Sequence, residues 1–289
     1  MRWHVRHRTR YTYDDVVTDS YGHAVLLPRD VPGQRVLSAQ VDVDPVAVDR
    51  SEDIDHFGNR VTYLQVDVPH TRLTVEADLD VEVEPASIDP EALGAPWEAA
   101  RPRALDGVPA WEVVELALES PSIGHGGAVL DYARPSFPPG RALGEAARDL
   151  MHRVHDDFAY EPGTTSVTST IDDVLAARAG VCQDFAQLMI ACLRSQGLAA
   201  RYVSGYLATD PPPGRERVVG ADATHAWVAV WTPAGEWLAL DPTNDQPVGE
   251  RYVTIAWGRE YADVSPLKGV IVSEASSSEL EVQVDVLPA

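Results

Sequence analysis

The chain has 289 residues, 45% of them hydrophobic, enough to bury one large core or two modest ones. Forty-five acidic side chains against 23 basic ones leave a formal charge of -22, which repels phosphate backbones and anionic membrane surfaces, so neither nucleic acid nor membrane is an expected partner. No run of about eighteen uncharged apolar residues offers a membrane span, and the acidic residues are dispersed over a solvated surface rather than gathered in a tail.

The opening stretch MRWHVRHRTRYTYDD is basic, but its charges alternate with Trp3, Val5, Tyr11 and Tyr13, and it lacks the apolar stretch of a signal peptide; it predicts a first strand. LSAQVDVDP, RVTYLQVDVP and LTVEADLDVEVEP alternate in the same way, broken by the turn-like DVPGQ at 30 to 34 and DHFGN at 55 to 59. Residues 1–85 therefore predict an all-β domain, a sandwich or small barrel, in which His56 and His70 sit at strand ends with turn and surface roles. Residues 86–140 are proline-rich and form a connecting region with one helical stretch, WEVVELALE, and a glycine pair, HGG at 125 to 127, that reads as a loop.

Residues 141–289 predict an α+β unit. RALGEAARDLMHRVHDDFAY carries a buried stripe of Leu143, Ala147, Leu150, Met151, Val154 and Phe158. His152 and His155 stand three apart on its polar face; no further ligand cluster follows them, and no metal or other cofactor is expected. Thr168-Ser169-Thr170 followed by Asp172 and Asp173 resembles a capping sequence for a short helix, IDDVLAAR. In RAGVCQDFAQLMIACLRSQG, Phe185, Leu188, Met189, Cys192 and Leu193 recur at the spacing of one buried helical face, and Gly197 supplies the stop. Cys192 lies inside that stripe and predicts core. Cys182 lies in the first turn, where unpaired N–H groups and the helix dipole favour a thiolate. The two cysteines, ten residues apart on one helix, are separated by a rise of ~15 Å and cannot form a disulfide, which suits a reducing cytoplasm, the expected location.

After Gly197 the period changes to two: LAARYVSGYLA, THAWVAVWTP, GEWLALDPT and finally LEVQVDVLP predict strands. TPAG at 232 to 235 makes a hairpin of the second and third, so that His225, opening one strand, and Asp241, closing the next, fall at the same end of the ladder. A carboxylate that fixes an imidazole tautomer, an imidazole that exchanges protons, and a thiol ionised by both the imidazolium and a helix N-terminus make a nucleophilic triad.

GVCQDFAQLMIACLRSQGLAARYVSGY, DATHAWVAVW and WLALDPTND together resemble the core of the transglutaminase-like superfamily in its bacterial branch, and the β-rich N-terminal segment and VTIAWGREYADVSPLKGV at 253 to 270 are similar to the flanking parts of its members. The resemblance covers nearly the whole chain. It implies a papain-like catalytic core behind an all-β domain, with Cys182 as nucleophile, His225 as acid–base and Asp241 as its orienter. Gln183 stands where animal transglutaminases have tryptophan after the cysteine, and the chain has no room for their calcium-binding insertions, so neither calcium dependence nor cross-linking carries over.

Asp184 either positions the cysteine helix or complements its dipole, the second being favoured. An oxyanion needs a backbone N–H near Cys182 and one side chain, for which Tyr160, Gln183 and Trp227 are candidates; Tyr160 otherwise reads as a buried aromatic, and Trp227 as packing on the strand face opposite His225. Arg215 and Arg217, in the excursion TDPPPGRERVVGAD, either rim the cleft toward an acidic substrate or belong to an ordinary polar connection. The expected substrate is a peptide or protein amide, hydrolysed through a thioester. The alternatives are transfer of a glutamine carboxamide to an amine, and a non-catalytic peptide-binding module.

Overall fold

The computed structural model describes residues 1–84, 86–102, 110–166, 169–209 and 224–289. It opens with five strands, β1 (Arg2–Leu27), β2 (Gln34–Asp44), β3 (Asp49–Ile54), β4 (Arg60–Val66) and β5 (His70–Val83). A mixed segment follows: α1 (Pro90–Gly94), α2 (Ala110–Glu115), α3 (Gly127–Ala133), α4 (Leu143–Asp157), β6 (Ala159–Tyr160), α5 (Ile171–Ala177), β7 (Ala179–Gly180) and α6 (Cys182–Ser195). The chain closes with β8 (Ala200–Leu207), β9 (Thr224–Trp231), β10 (Trp237–Asp241), β11 (Gln246–Pro247), β12 (Tyr252–Gly258), α7 (Tyr261–Val264), β13 (Leu267–Ser273) and β14 (Ser278–Pro288). Among the described residues, no helix is long and apolar enough to cross a membrane.

The N-terminal β domain is one curled antiparallel sheet of seven strands, in which β1 pairs with β4, β5, β13 and β14, while β2 adds to β5 and β3 to β4. The first half of β1 lies between β5 and β14, and its second half between β4 and β13, with the register shifting between Thr12 and Val17. Alternation decides the faces. Trp3, Val5, His7 and Thr9 turn inward with Val75, Leu79, Val81, Val284 and Val286. The basic residues between them turn outward onto acidic partners: Arg2 on Glu82, His4 on Asp80, Arg8 on Glu76 and Arg10 on Glu281. The basic start of an acidic chain is thus a row of cross-strand ion pairs.

The sequence pattern groups LEVQVDVLP with the segment 141–289, and here the structure differs. β13 and β14 leave that segment and pair residue for residue with β1, Val17 facing Ser273 and Trp3 facing Pro288. Alternation identifies a strand but not its partner. Two smaller differences are local. His125 and Gly126 are loop, as expected, but Gly127 already opens α3, whose Val129, Tyr132 and Ala133 are buried. His70 is buried, held by the Ser20 hydroxyl at 2.9 Å and the Val68 carbonyl at 2.8 Å, whereas His56 is exposed against Glu115.

The second sheet has five antiparallel strands in the order β11-β10-β9-β8-β12. α6 packs on β8 and β9, with α3, α4 and α5 against its other sides. It is therefore buried all round, from Asp184 to Arg194, rather than along one stripe. Ala226, Val228 and Val230 of β9 join the core that contains α6, while Trp227 and Ala229 pack on the far face with Val203 and Tyr252.

The two sheets meet along β12. Gln34 donates from Nε2 to the Thr254 carbonyl and accepts the Thr254 N–H on Oε1, both at 2.8 Å. Asn59 does the same for Trp257, at 2.8 and 3.0 Å. Two buried primary amides thus replace the strand that the free edge of β12 lacks. Asn59→Ala and Gln34→Ala each leave a peptide N–H and C=O unsatisfied. Each is expected to lower unfolding free energy by about 1–3 kcal/mol in chemical denaturation; an unchanged midpoint for both would show that the edge is satisfied some other way.

Candidate active site

Cys182 is delivered to its position by a short, closely constrained approach. Thr170 and Asp173 form a capping box for α5, and Arg178 ends that helix in the left-handed region at φ 53°, which turns the chain into β7. β7 pairs in parallel with β6, Tyr160 opposite Gly180, so the residues before the cysteine are tied to those after α4. α6 then starts at Cys182.

Asp184 holds this turn. Its buried carboxylate accepts the Val181 N–H at 2.8 Å and the Thr165 hydroxyl at 2.6 Å on one oxygen, and so fixes the chain entering the helix while its charge faces the helix N-terminus. Both roles considered for Asp184 therefore apply. Gly180 makes room for it: a Cβ there would lie 2.7 Å from Asp184 Oδ2 and 2.8 Å from Asp184 Cβ.

His225 opens β9 and is nearly buried, with 11% of its side chain exposed. Its Nε2–H donates to Asp241 Oδ2 at 2.7 Å, and Cys182 lies near enough to the ring to favour its charged form. Burial alone would lower the imidazole pKa. The hydrogen bonds and charges of Asp241 and Cys182 outweigh it and bring the value from 6.5 to about 9.

Asp241 is fully buried and fully engaged. Its Oδ2 accepts from His225, from Asn244 Nδ2 at 2.7 Å and from the Tyr252 hydroxyl at 2.7 Å; Oδ1 accepts the N–H groups of Thr243 at 2.9 Å and Asn244 at 3.3 Å. Burial pushes this carboxyl upward, but the bonds from His225, Asn244 and Tyr252 hold it below the usual carboxylate range. The Tyr252 hydroxyl is set in turn by Gln246 Nε2 at 2.6 Å.

The supporting residues divide. Tyr160 is 55% exposed, not a buried aromatic, and its ring meets the edge of Phe185. Its phenol pKa is raised by partial burial and then by the charge of Cys182. Gln183 follows Cys182 in the partly exposed first turn. Trp227 is buried, as packing requires, but shares the strand face of His225: residues two apart point the same way, and the two rings lie 6.2 Å apart. Its ring also fills the space over Gly205, where a Cβ would strike both the indole and the Val253 carbonyl. Arg215 and Arg217 lie outside the described residues. Cys192 is buried in the core, and burial pushes its thiol up to about 12.

His152 and His155 brace the loop after Asp241, the first on the Asp245 carboxylate and the second on the Thr243 carbonyl at 3.0 Å. Among the described residues no group of three His, Cys, Asp or Glu side chains could hold a metal. The sequence pattern does not single out Asn244, Tyr252, Thr165 or Tyr202. Asn244 stands in the DPTND run, three residues past Asp241, where a tight turn returns its amide to the carboxylate. The other three arrive from separate elements and leave no local trace. Tyr202 is buried on β8, and its phenol is raised first by burial and next by the charge of Cys182.

Gly180→Ala is expected to push Asp184 out of its cap, lowering unfolding free energy by about 1–3 kcal/mol and slowing alkylation of Cys182. Denaturant titration and a timed iodoacetamide reaction read the two effects; wild-type values for both would mean that the Asp184 cap tolerates the methyl group.

Comparison with known proteins agrees with this architecture. The profile of the bacterial transglutaminase-like N-terminal region matches residues 3–82, and that of the transglutaminase-like superfamily matches residues 133–242. An uncharacterised Mycobacterium tuberculosis protein is 50% identical over 99% of this chain and 93% of its own length. A protein-glutamine gamma-glutamyltransferase of Pseudomonas aeruginosa is 32% identical over 50% of this chain and 22% of its own. In structure, a candidate cysteine protease from Cytophaga hutchinsonii superposes with a TM-score of 0.72 at 19% identity, over 98% of this chain and 90% of that one, which shows a shared fold. With cysteine helix, histidine strand and aspartate strand in the matched region and the curled β domain in front, the chain belongs to the transglutaminase-like superfamily and carries the bacterial transglutaminase-like N-terminal region.

Proposed function

We propose that the protein is a cysteine-dependent acyl-transfer enzyme that hydrolyses peptide or other amide bonds, with Cys182 as nucleophile, His225 as acid–base and Asp241 as orienter. The observation that carries this is the bond of His225 Nε2 to a fully buried Asp241 at 2.7 Å, with Cys182, at the start of a helix, near enough to raise the imidazole pKa. An imidazolium and a helix dipole both favour the thiolate.

The chemistry follows from the geometry. The thiolate attacks the amide carbonyl carbon, and negative charge moves to the oxygen, where first-turn N–H groups of α6 are positioned to receive it. The His225 imidazolium passes its proton to the leaving amine as the C–N bond breaks, which leaves a thioester on Cys182. Neutral His225 then takes a proton from water as the water attacks the thioester; acid departs, and thiolate and imidazolium are restored. An amine in place of water would give transfer by the same thioester, a second reading favoured by the similarity to the Pseudomonas aeruginosa glutamyltransferase.

Cys182→Ala and Cys182→Ser are expected to abolish turnover of any amide that the wild type cleaves. Mass spectrometry after exposure to short peptides is expected to show an acyl adduct on Cys182, and its products show whether water or an added amine resolves it. Full turnover by both variants would sink the covalent mechanism.

The pH dependence follows from the raised imidazole. His225 is raised from 6.5 to about 9, so the pair with Asp241 is fully formed below 6.5 and is lost as pH rises through about 9. The acylation step, which needs the imidazolium proton, is expected to fall over that upper range, and the pair's contribution to stability fades with it. Iodoacetamide labelling of Cys182 is expected to be fast in the wild type and markedly slower in His225→Gln at the same pH. Identical labelling profiles would show that the imidazole does not ionise the sulfur.

A further inference from the structure

A cavity lies on the face of the five-stranded sheet away from α6, between that sheet and the β domain. Its volume is about 490 Å³, within the range of small-molecule sites. Trp227, Trp237, Trp257, Val203 and Val248 supply apolar wall, and Arg201 of β8 supplies a cation.

Arg201 is unlike the other enclosed arginine of this domain. Arg194, buried beneath α6, gives its N–H groups to the carbonyls of Leu116, Ala200 and Arg259 and to the Ser120 hydroxyl. The Arg201 guanidinium is stacked between two indoles, 3.8 Å from the Trp257 ring centre and 4.2 Å from that of Trp237. Its enclosed Nε has no hydrogen-bond partner, and no carboxylate of the described residues pairs with it. Of the acidic residues lining the cavity, Glu236 is bonded to the Asp89 N–H and Glu84 forms no pair with Arg201. A second cation, Arg29, stacks on Trp257 at 4.1 Å, so the nearest neighbouring charge repels rather than neutralises. Burial, with Arg29 adding to it, brings Arg201 down to about 9, the direction expected of a guanidinium without a counter-charge. A guanidinium held in a fixed plane by indole stacking, with its Nε unpartnered and its residue lining a cavity, is arranged for a planar anion.

We propose that this cavity is a ligand site separate from the Cys182 centre and takes a small molecule that carries a carboxylate on a flat apolar body. The carboxylate pairs with the Arg201 N–H groups, and the body lies against the indoles of Trp237 and Trp257 and the side chains of Val203 and Val248. Trp227 and Tyr252 are shared walls, lining the cavity and meeting the His225 ring at 6.2 and 6.1 Å.

The test uses the full chain with Cys182→Ala, so that no acylation intervenes, titrated with 3-phenylpropionate and its neutral isostere 3-phenylpropanamide. Calorimetry and tryptophan fluorescence are the readouts. The carboxylate is expected to bind saturably at one site, about ten-fold or more tighter than the amide, since charged hydrogen bonds are lost in the amide. Arg201→Gln is expected to erase that preference, and Val248→Trp, which fills the cavity but leaves the arginine, to abolish binding of both. Absence of saturable carboxylate binding up to ~10 mM, beyond the millimolar range of weak ligands, overturns the proposal. So does equal affinity for acid and amide, a preference that survives Arg201→Gln, or binding unchanged in Val248→Trp. Should either variant fail to fold, the acid and amide comparison on the Cys182→Ala chain decides.

Discussion

A carboxylate withdrawn completely from water is the constraint around which the second half of the molecule is arranged. An ionised group in such a place is tolerable when each oxygen is supplied with donors, and Asp241 draws them from two strands and a turn. His225 comes from β9, Tyr252 from β12, and Asn244 and Thr243 from the loop that follows β10. His152 and His155 of α4 secure that loop from behind. Removing any one donor leaves the others without a fixed acceptor geometry, so the imidazole is oriented by the packing of the whole sheet.

The β domain enters this arrangement through β12. Gln34 and Asn59 hold the outer edge of the strand that begins with Tyr252, and Trp3 donates to the Glu250 carbonyl at 2.7 Å just before it. On the next strand, His7 meets the Tyr206 hydroxyl at 2.8 Å. The apolar interior is continuous across these contacts, from Val5 and Val284 to Leu188 and Val228. The position of Asp241 therefore depends on residues more than half the chain away.

Much of this was legible in the sequence because it is local. Period-two alternation marked the strands, a 3.6 period marked α4 and α6, and TPAG joined β9 to β10 in the register that brings His225 and Asp241 together. What stayed hidden has no local signature. Tyr252 is eleven residues from Asp241 across a β-strand and a turn, and nothing in its neighbourhood marks its hydroxyl as a donor. β14 alternates like any other strand, and its partner is decided by the unpaired edge of β1. Trp227 is instructive because the rule was sufficient: a period of two puts it on the face of His225, where the rings meet.

The pairing of Trp3 with Pro288 and of Tyr13 with Ser278 has a bearing on how the molecule comes into being. β1 cannot complete its pairing until β13 and β14 have been made and folded back onto it. Contacts of such long sequence separation form slowly, and during synthesis Trp3, Val5 and Leu79 lack the cover of Val284 and Val286. The β domain therefore closes only after the strands and helices that carry the site have been made.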